Sequence, residues 1–428
     1  MIDALGGLAL APLRARLDAD DRDPEAAQAR VLAAQAKALS GTEVAKLQDP
    51  RIWTSPAAWR RFVRRTGAVH YAELADAGLA DPRPGRFEAS ATLRYGRTGS
   101  GRAVPYTRAH RRAFEGLQLG LAASLPRLGV GDALLGSVLL VQGGLGVSRT
   151  AAGVVHGYSA SLALDALSWP MTAIVAPAPG AVGGLDDAAR VGAIRDALLR
   201  RRPKAITGVP SGVVAVIRAL LADDDGRVRE ALRRIRVYGW SGMPLGPYAP
   251  LLSDHFAPGC AFVDVASATE GPIGWPEGGA HRLAWGLGLF GFAAPGDDRL
   301  VGPAELTPGR WELVIGAGSG WQGFWGGDIV EVIETKPVRV RLLPRGVDVD
   351  ALAAAVGHER FRVALSGADA EVLLEAPAGD RAALTALLGP TARFVDVAVG
   401  SIDRAALAAP KLPWVFRDPG LRAAIVRG

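Results

Sequence analysis

The sequence predicts an α/β protein: a large N-terminal body of mainly parallel sheets with covering helices and a β-subdomain, then a small α+β C-terminal lid. Three observations carry this. Between residues 136 and 265, short apolar runs rich in β-branched residues alternate with amphipathic ones, the order that builds parallel sheets with helices packed over them. Between 282 and 335 that alternation gives way to short strand-like runs separated by glycine-rich turns. Thr335-Lys336-Pro337 and Pro344-Arg345-Gly346 then read as a hinge region, and the remainder of the chain has the size of a compact domain. The expected division is a body at 1–335, with the β-subdomain at about 282–335, and a lid at 336–428.

Taken in order, residues 1–80 read as helical. Pro24–Leu39 carries apolar residues at helical spacing, and Ser40-Gly41-Thr42 stops the run. Pro82 to Phe87 forms a turn leading into Tyr95-Gly96-Arg97-Thr98-Gly99-Ser100-Gly101-Arg102, and a helix is expected over 107–125. Residues 136–142 read as a buried strand ending in Gly143-Gly144. Strands are expected over 173–176, 204–209, 235–239 and 261–265, with helices over 186–201, 211–221 and 247–256 between them. In the lid, helices are expected over 350–356 and 380–388, and strands over 361–364, 371–375 and 394–399.

Composition narrows the function classes. With 49% hydrophobic and 21% charged residues in 428, the chain has ample core material for two or three domains. No run has the length and apolarity of a membrane span, and Met1-Ile2-Asp3-Ala4 lacks the basic start of a signal peptide, so no membrane partner is expected. Cys260 is the single cysteine, which excludes an internal disulfide and fits a cytoplasmic protein. It precedes a buried strand with no nearby base, which argues against a nucleophile. The net charge of +6 comes from scattered arginines rather than a basic block interleaved with aromatics. Nucleic acid is therefore not an expected partner, whereas anionic small molecules are.

The candidate chemistry begins at the glycine-rich stretch. Small residues let backbone N–H groups approach an anion, hydroxyls add donors and Arg102 adds a fixed charge, the composition of a phosphate-gripping loop. It lacks the Gly-Lys-Ser/Thr of a Walker loop and the spacing of a dinucleotide fingerprint; an exposed hairpin turn is the plainer reading. Four further signals fall where strands should end, the place ligands occupy in open sheets. Ser241-Gly242-Met243-Pro244 could let a flat ring lie against backbone. Ala268-Thr269-Glu270 offers a hydroxyl and a carboxylate suited to a phosphate and its Mg2+, or else a carboxylate stabilising a helix start. Gly326-Gly327-Asp328 puts an acid on a tight turn before a strand, placed for two ribose hydroxyls or for its own backbone. Lys411 stands near the end of the lid, where a solvated lysine is equally at home.

Together these motifs resemble the adenylate-forming superfamily of acyl-CoA synthetases, peptide-synthetase adenylation domains and luciferases. The shared order is a Ser/Thr/Gly loop, Gly-Gly-x-Pro, Tyr-x-x-(Ser/Thr)-Glu, Gly-Asp and a mobile C-terminal domain with a lysine. Within the superfamily the chain is most similar to the acyl-acid amido synthetases of the auxin- and jasmonate-conjugating type. Leu39 to Lys46, Phe62 to Leu74, Gly208-Val209-Pro210-Ser211 and Gly309 to Val332 resemble segments of that family. It also shares with phenylacetate–CoA ligases the Thr-Gly-x-x…Tyr-Thr pattern of Thr98 to Thr107 and an echo at 410–415. Departures from the family pattern are Tyr95 and Arg97 in the loop, Ala266 at the aromatic position, Phe324-Trp325-Gly326 before the acid, and no Gly-Arg-x-Asp hinge between 334 and 350.

The resemblance implies ATP and Mg2+ as cofactors and assigns roles. Thr98, Gly99, Ser100, Gly101 and Arg102 would hold the ATP phosphates. Gly242, Met243 and Ala268 would flank the nucleotide, and Asp328 would hold its ribose. Thr269 would touch phosphate, Glu270 would ligate Mg2+, and Lys411 would stabilise charge during adenylation. His156, Tyr158 and Ser159 would line the acyl pocket, although a packed or capping histidine is the plainer reading of His156. The implied reaction activates a carboxylic acid as an acyl-adenylate and transfers the acyl group to an amine. Transfer to a thiol of CoA or a carrier protein is the alternative, and a non-catalytic nucleotide or acyl-ligand sensor is the third reading.

Overall fold

In a computed structural model of the chain, the residues described are 10–63, 83–90, 94–97, 103–141, 148–151, 153–158, 162, 171–182, 185–222, 226–246, 248–316, 318–320, 322–343, 349–366, 369–376, 379–388, 390–408, 415–416 and 419–427. The fold is α/β. By its own contacts the chain divides into two units, each assembled from separated segments: residues 1–134, 146–168 and 264–345 form the first, and 135–145, 169–263 and 346–428 the second.

The first unit opens with α1 (Ala11–Arg22) and α2 (Pro24–Leu39). The Asp23 carboxylate between them accepts the Ala26 N–H at 3.0 Å, and Pro24 takes the first helical position, where no N–H is needed. Two short helices, α3 (Glu43–Lys46) and α4 (Pro56–Phe62), start on hydroxyl caps from Thr42 and Ser55. The hairpin β1 (Arg94–Arg97) and β2 (Ala103–Pro105) then leads into α5 (Arg108–Ser124). After β3 (Val138–Leu140), which belongs to the second unit, β4 (Ser148–Arg149) and β5 (Val155–Tyr158) complete a four-stranded sheet of order β2-β1-β5-β4.

The second unit gathers β3, α6 (Met171–Ile174), β6 (Val175–Ala176), α7 (Pro179–Val182), α8 (Asp187–Arg201), β7 (Ala205–Thr207), α9 (Pro210–Ala222), α10 (Arg227–Leu232), β8 (Val237–Trp240), α11 (Tyr248–His255) and β9 (Ala261–Asp264). Its sheet has the order β6-β3-β7-β8-β9, with β6, β3, β7 and β8 mutually parallel. The strand expected over 173–176 is only Val175–Ala176, because Met171–Ile174 takes a helical turn. Helix α10 has no counterpart among the sequence expectations: its six residues, Arg-Val-Arg-Glu-Ala-Leu, are too few to show a helical period.

The chain then returns to the first unit for β10 (Ala266–Ala268), β11 (Gly271–Glu277), β12 (Ala280–Leu283), β13 (Leu289–Ala293), β14 (Gly309–Gly316), β15 (Phe324–Thr335) and β16 (Val338–Leu342). These make a seven-stranded antiparallel sheet of order β10-β11-β12-β16-β15-β14-β13. It is the expected β-subdomain, but it starts earlier and ends later than 282–335. Thr335-Lys336-Pro337, which reads as a hinge in the sequence, belongs to a tight turn that pairs Thr335 with Val338 and joins β15 to β16. The other half of that expected hinge, Pro344-Arg345-Gly346, lies outside the described residues. Helices α2 and α4 are bound to this sheet by a buried amide relay: Trp59 Nε1 donates to Gln322 Oε1 at 2.9 Å, and Gln322 Nε2 donates to Gln35 Oε1 at 2.9 Å. Gln28 Oε1 accepts the Phe290 N–H at 2.7 Å. Each of these contacts pairs a buried donor with a buried acceptor, which offsets the cost of withdrawing both from water.

The last segment rejoins the second unit with α12 (Val349–Val356), β17 (Phe361–Ser366), β18 (Asp369–Leu374), α13 (Arg381–Leu388), β19 (Arg393–Asp396), α14 (Ser401–Ala408), β20 (Val415–Phe416) and α15 (Pro419–Arg427). Its sheet runs β19-β18-β17-β20. Leu352, Phe361, Val363 and Leu384 share one hydrophobic core with Val213, Ile217 and Leu220 of α9 and Leu252 of α11. Arg218 of α9 reaches Asp403 of α14 at 2.9 Å and also pairs with Glu359. The contiguous body and lid, 1–335 and 336–428, therefore stay a proposal about the working protein and are distinct from this contact division.

Candidate active site

One candidate of the first unit, Thr269, lies against the N-terminal turn of α5. Thr107 caps this helix: its Oγ1 accepts the His110 N–H at 3.1 Å and donates to the Gly318 carbonyl at 2.6 Å. Gly318 has to be glycine, because a Cβ there would lie 2.8 Å from both the Ala109 carbonyl carbon and the His110 nitrogen. His110 is fully buried between Tyr106 and Phe114, with ring centroids 5.0 Å away on each side. Its Nε2 lies 3.1 Å from the Thr269 carbonyl. A carbonyl only accepts, so Nε2 carries a proton and donates it to this hydrogen bond. Burial pushes its pKa down to about 4, against the upward pull of that hydrogen bond.

Thr269 and Glu270 are the two central residues of the β10–β11 turn, in which Ala268 pairs with Gly271. Tight two-residue hairpins favour Asn-Gly or Gly-containing pairs with positive φ. Among the described residues the only non-glycine with positive φ is Arg202, so this turn departs from that preference. Glu270 is nevertheless only 4% exposed, an unusual position for a turn carboxylate. It is a hairpin-turn residue, and the helix-start alternative does not hold.

Asp328, expected on a tight turn ahead of a strand, lies inside β15. Glu312 pairs with Ile329 and Val314 with Trp325, so 326–328 face the single residue 313. That bulge exists because Gly326-Gly327 tolerate the extra length, and bulges re-aim side chains next to functional sites. Tyr95 and His156 face one another in the parallel β1–β5 register, their rings stacked at 5.4 Å and 20°. Tyr95 is 2% exposed and closes a small core with Phe87 and Val154, so His156 lies against packed aromatic surface. Tyr158 ends β5 opposite Arg97. Thr98, Gly99, Ser100, Gly101, Arg102, Ser159 and Lys411 lie outside the described residues. The antiparallel pairs from Tyr95–Pro105 to Arg97–Ala103 lead toward the glycine-rich stretch from both sides.

In the second unit, Gly208 follows β7, and Gly242 and Met243 follow the neighbouring β8, at the carboxyl edge of the parallel sheet. A Cβ on Gly208 would meet the Val141 carbonyl oxygen at 2.0 Å, so the backbones approach there as only glycine permits. Gly242 has φ +88°. The Met243 side chain is turned into the core at 7% exposure, which leaves the backbone and Gly242, rather than the thioether, as the surface for a flat ring.

The donor chemistry fits Mg2+. Among the described residues no three His, Cys, Asp or Glu side chains cluster as a metal cage. Mg2+ needs none when phosphates supply most of its oxygens and the protein one carboxylate, the contribution Glu270 can make. A cavity of about 660 Å3 lined by Asp18, Asp21, Lys336 and Arg339 contains none of the candidate residues. Sequence reasoning missed Thr107, His110 and Gly318. The helix start at Thr107 is legible in the sequence; a histidine on the apolar face with Ala113, Phe114 and Leu117 is the signal that could have found the rest.

The fold is that of the adenylate-forming enzymes. Across 98% of this chain and 95% of the other, it is similar to a structure described as "GH3.15 acyl acid amido synthetase", with a TM-score of 0.73 at 12% identity. A second structure, the acyl acid amido synthetase AtGH3.15 in complex with 2,4-DB, gives 0.72 at 13% over 96% of this chain and 95% of that one. A 2-hydroxyisobutyryl-CoA ligase in the postadenylation state, with 2-HIB-AMP, gives 0.54 at 16% over 93% and 90%. No family model and no curated protein matches the sequence.

Proposed function

We propose that the chain is an ATP-dependent ligase that joins a carboxylic acid to an amine through an acyl-adenylate. The carrying observation is Glu270: a carboxylate withdrawn to 4% exposure on a turn whose sequence does not favour that turn. Local rules broken at one acid, in a chain with an adenylating fold, support a metal and phosphate site.

In the first step a carboxylate oxygen of the acid bonds to the α-phosphorus of ATP, and the α–β P–O bond breaks to release pyrophosphate. In the second the amine nitrogen attacks the acyl carbon, loses a proton and expels AMP. Such chemistry is served by positioning and charge neutralisation. Glu270 would hold Mg2+, which neutralises phosphate charge when bound. Thr269 and the 98–102 stretch with Arg102 would orient the phosphates, Asp328 the ribose, and Gly242 with the Met243 backbone the adenine. Lys411 would offset charge at the reacting carboxylate, and His156, Tyr158 and Ser159 would face the acyl group. The higher similarity to an amido synthetase than to a CoA ligase, 0.73 against 0.54, supports an amine over a thiol.

Incubation with an acid panel, ATP and Mg2+ should release pyrophosphate. Adding amino acids should then yield an amide mass, and adding CoA should yield none. Glu270→Gln is expected to lower kcat by about 10²–10³-fold. Asp328→Asn should raise the KM for ATP about 10-fold through one lost hydrogen bond to a charged group. A thioester product would overturn the amine assignment. ATP binding without pyrophosphate across the panel would replace the ligase by a sensor.

A further inference from the structure

We propose that His110 is a positioning residue: through its Nε2–H it fixes the Thr269 carbonyl, and so aims the Thr269 hydroxyl and the Glu270 carboxylate at the nucleotide and its metal. The inference rests on the ligase reading and adds to it a residue outside the family motifs.

Several observations converge. The β10–β11 turn has neither the residues nor the positive φ that would hold it by its own preference. Something outside the turn has to set it, and His110 Nε2, 3.1 Å from the Thr269 oxygen, makes one such contact. The ring is locked by Tyr106 and Phe114, at interplanar angles of 77° and 54°. The backbone of the same residue is registered too: its N–H is capped by Thr107, whose hydroxyl continues to Gly318. The turn bearing the acid and the connection leading into β15 are thus both tied to one helical turn.

The Nδ1 of His110 is buried with no hydrogen-bond partner among the described residues. A buried polar atom left unpartnered costs stability, and a phenylalanine or leucine would fill such a space without that cost. Packing alone does not account for an imidazole here; the one polar contact its ring makes among the described residues does. Groups that orient a metal-binding carboxylate from behind are worth about 10–100-fold in metal affinity or activity.

The test compares wild type, His110→Phe and His110→Gln. Phenylalanine keeps the volume and removes the donor; the glutamine amide can present an N–H to the same carbonyl. Calorimetry of ATP with and without Mg2+, melting temperature, and Mg2+ dependence of pyrophosphate release are measured on each. His110→Phe should stay folded and lose about 10–100-fold in Mg2+-dependent ATP affinity, with the KM for the acid unchanged. His110→Gln should recover most of that loss. The inference falls if folded His110→Phe binds Mg2+·ATP like wild type, or if His110→Gln is as impaired as His110→Phe. If wild type binds no adenine nucleotide, the ligase reading fails and takes this one with it.

Discussion

His110 carries a second consequence, for stability. Its pKa lies near the ordinary 6.5 in the unfolded chain and about 4 when folded. Below pH 6.5 the unfolded chain binds a proton the folded one refuses, so the contribution is complete above pH 6.5 and is lost as pH falls toward 4. The full swing is on the order of 3 kcal/mol. Urea denaturation of wild type at pH 7 and pH 5 should show the fall, and His110→Gln should flatten it. At this scale legibility depends on motif membership. Glu270 and Asp328 stand in recognisable patterns, and Gly242 in a turn signal. His110 and Gly318 matter through partners 159 and 211 residues away in sequence from the α5 turn, a relation no local window contains.

At the scale of elements, the long amphipathic helices are readable because their period repeats several times, as over Asp187–Arg201 and Arg108–Ser124. Punctuation misleads where its meaning depends on pairing. Lys336-Pro337 looks the same in a linker and in a hairpin turn, and only the Thr335–Val338 pairing decides. The bulge at 326–328 is hidden likewise, since a bulge is defined by the opposite strand. Helix α9 owes part of its anchoring to Arg218, whose side chain is 21% exposed and faces Asp403 and Glu359. Arg218→Ala leaves two carboxylates without that cation and is expected to cost roughly 1–3 kcal/mol. Chemical denaturation measures it, and an unchanged midpoint would mean that solvent already screens the pair.

For the whole molecule, the α/β class is evident from alternation of short and long apolar runs, whereas the exchange of segments between units is not. Sequence suggests contiguous domains because propensity is local; contacts are not. A chain ending at Arg345 tests the difference. It removes Leu352, Phe361, Val363 and Leu384 from the core they share with α9 and α11. The expectation is a poorly soluble product that binds a hydrophobic dye, whereas a separable lid would leave a soluble remainder with a cooperative melt.

The same sharing orders events on the ribosome. The apolar faces of α9 and α11 are synthesised long before the residues that cover them, about 130 and 100 positions later. During that interval the part of those faces that the later residues cover stays open, so the second unit can complete its core only when translation has nearly ended. Slowing elongation should therefore lengthen the window in which nascent chains need a chaperone.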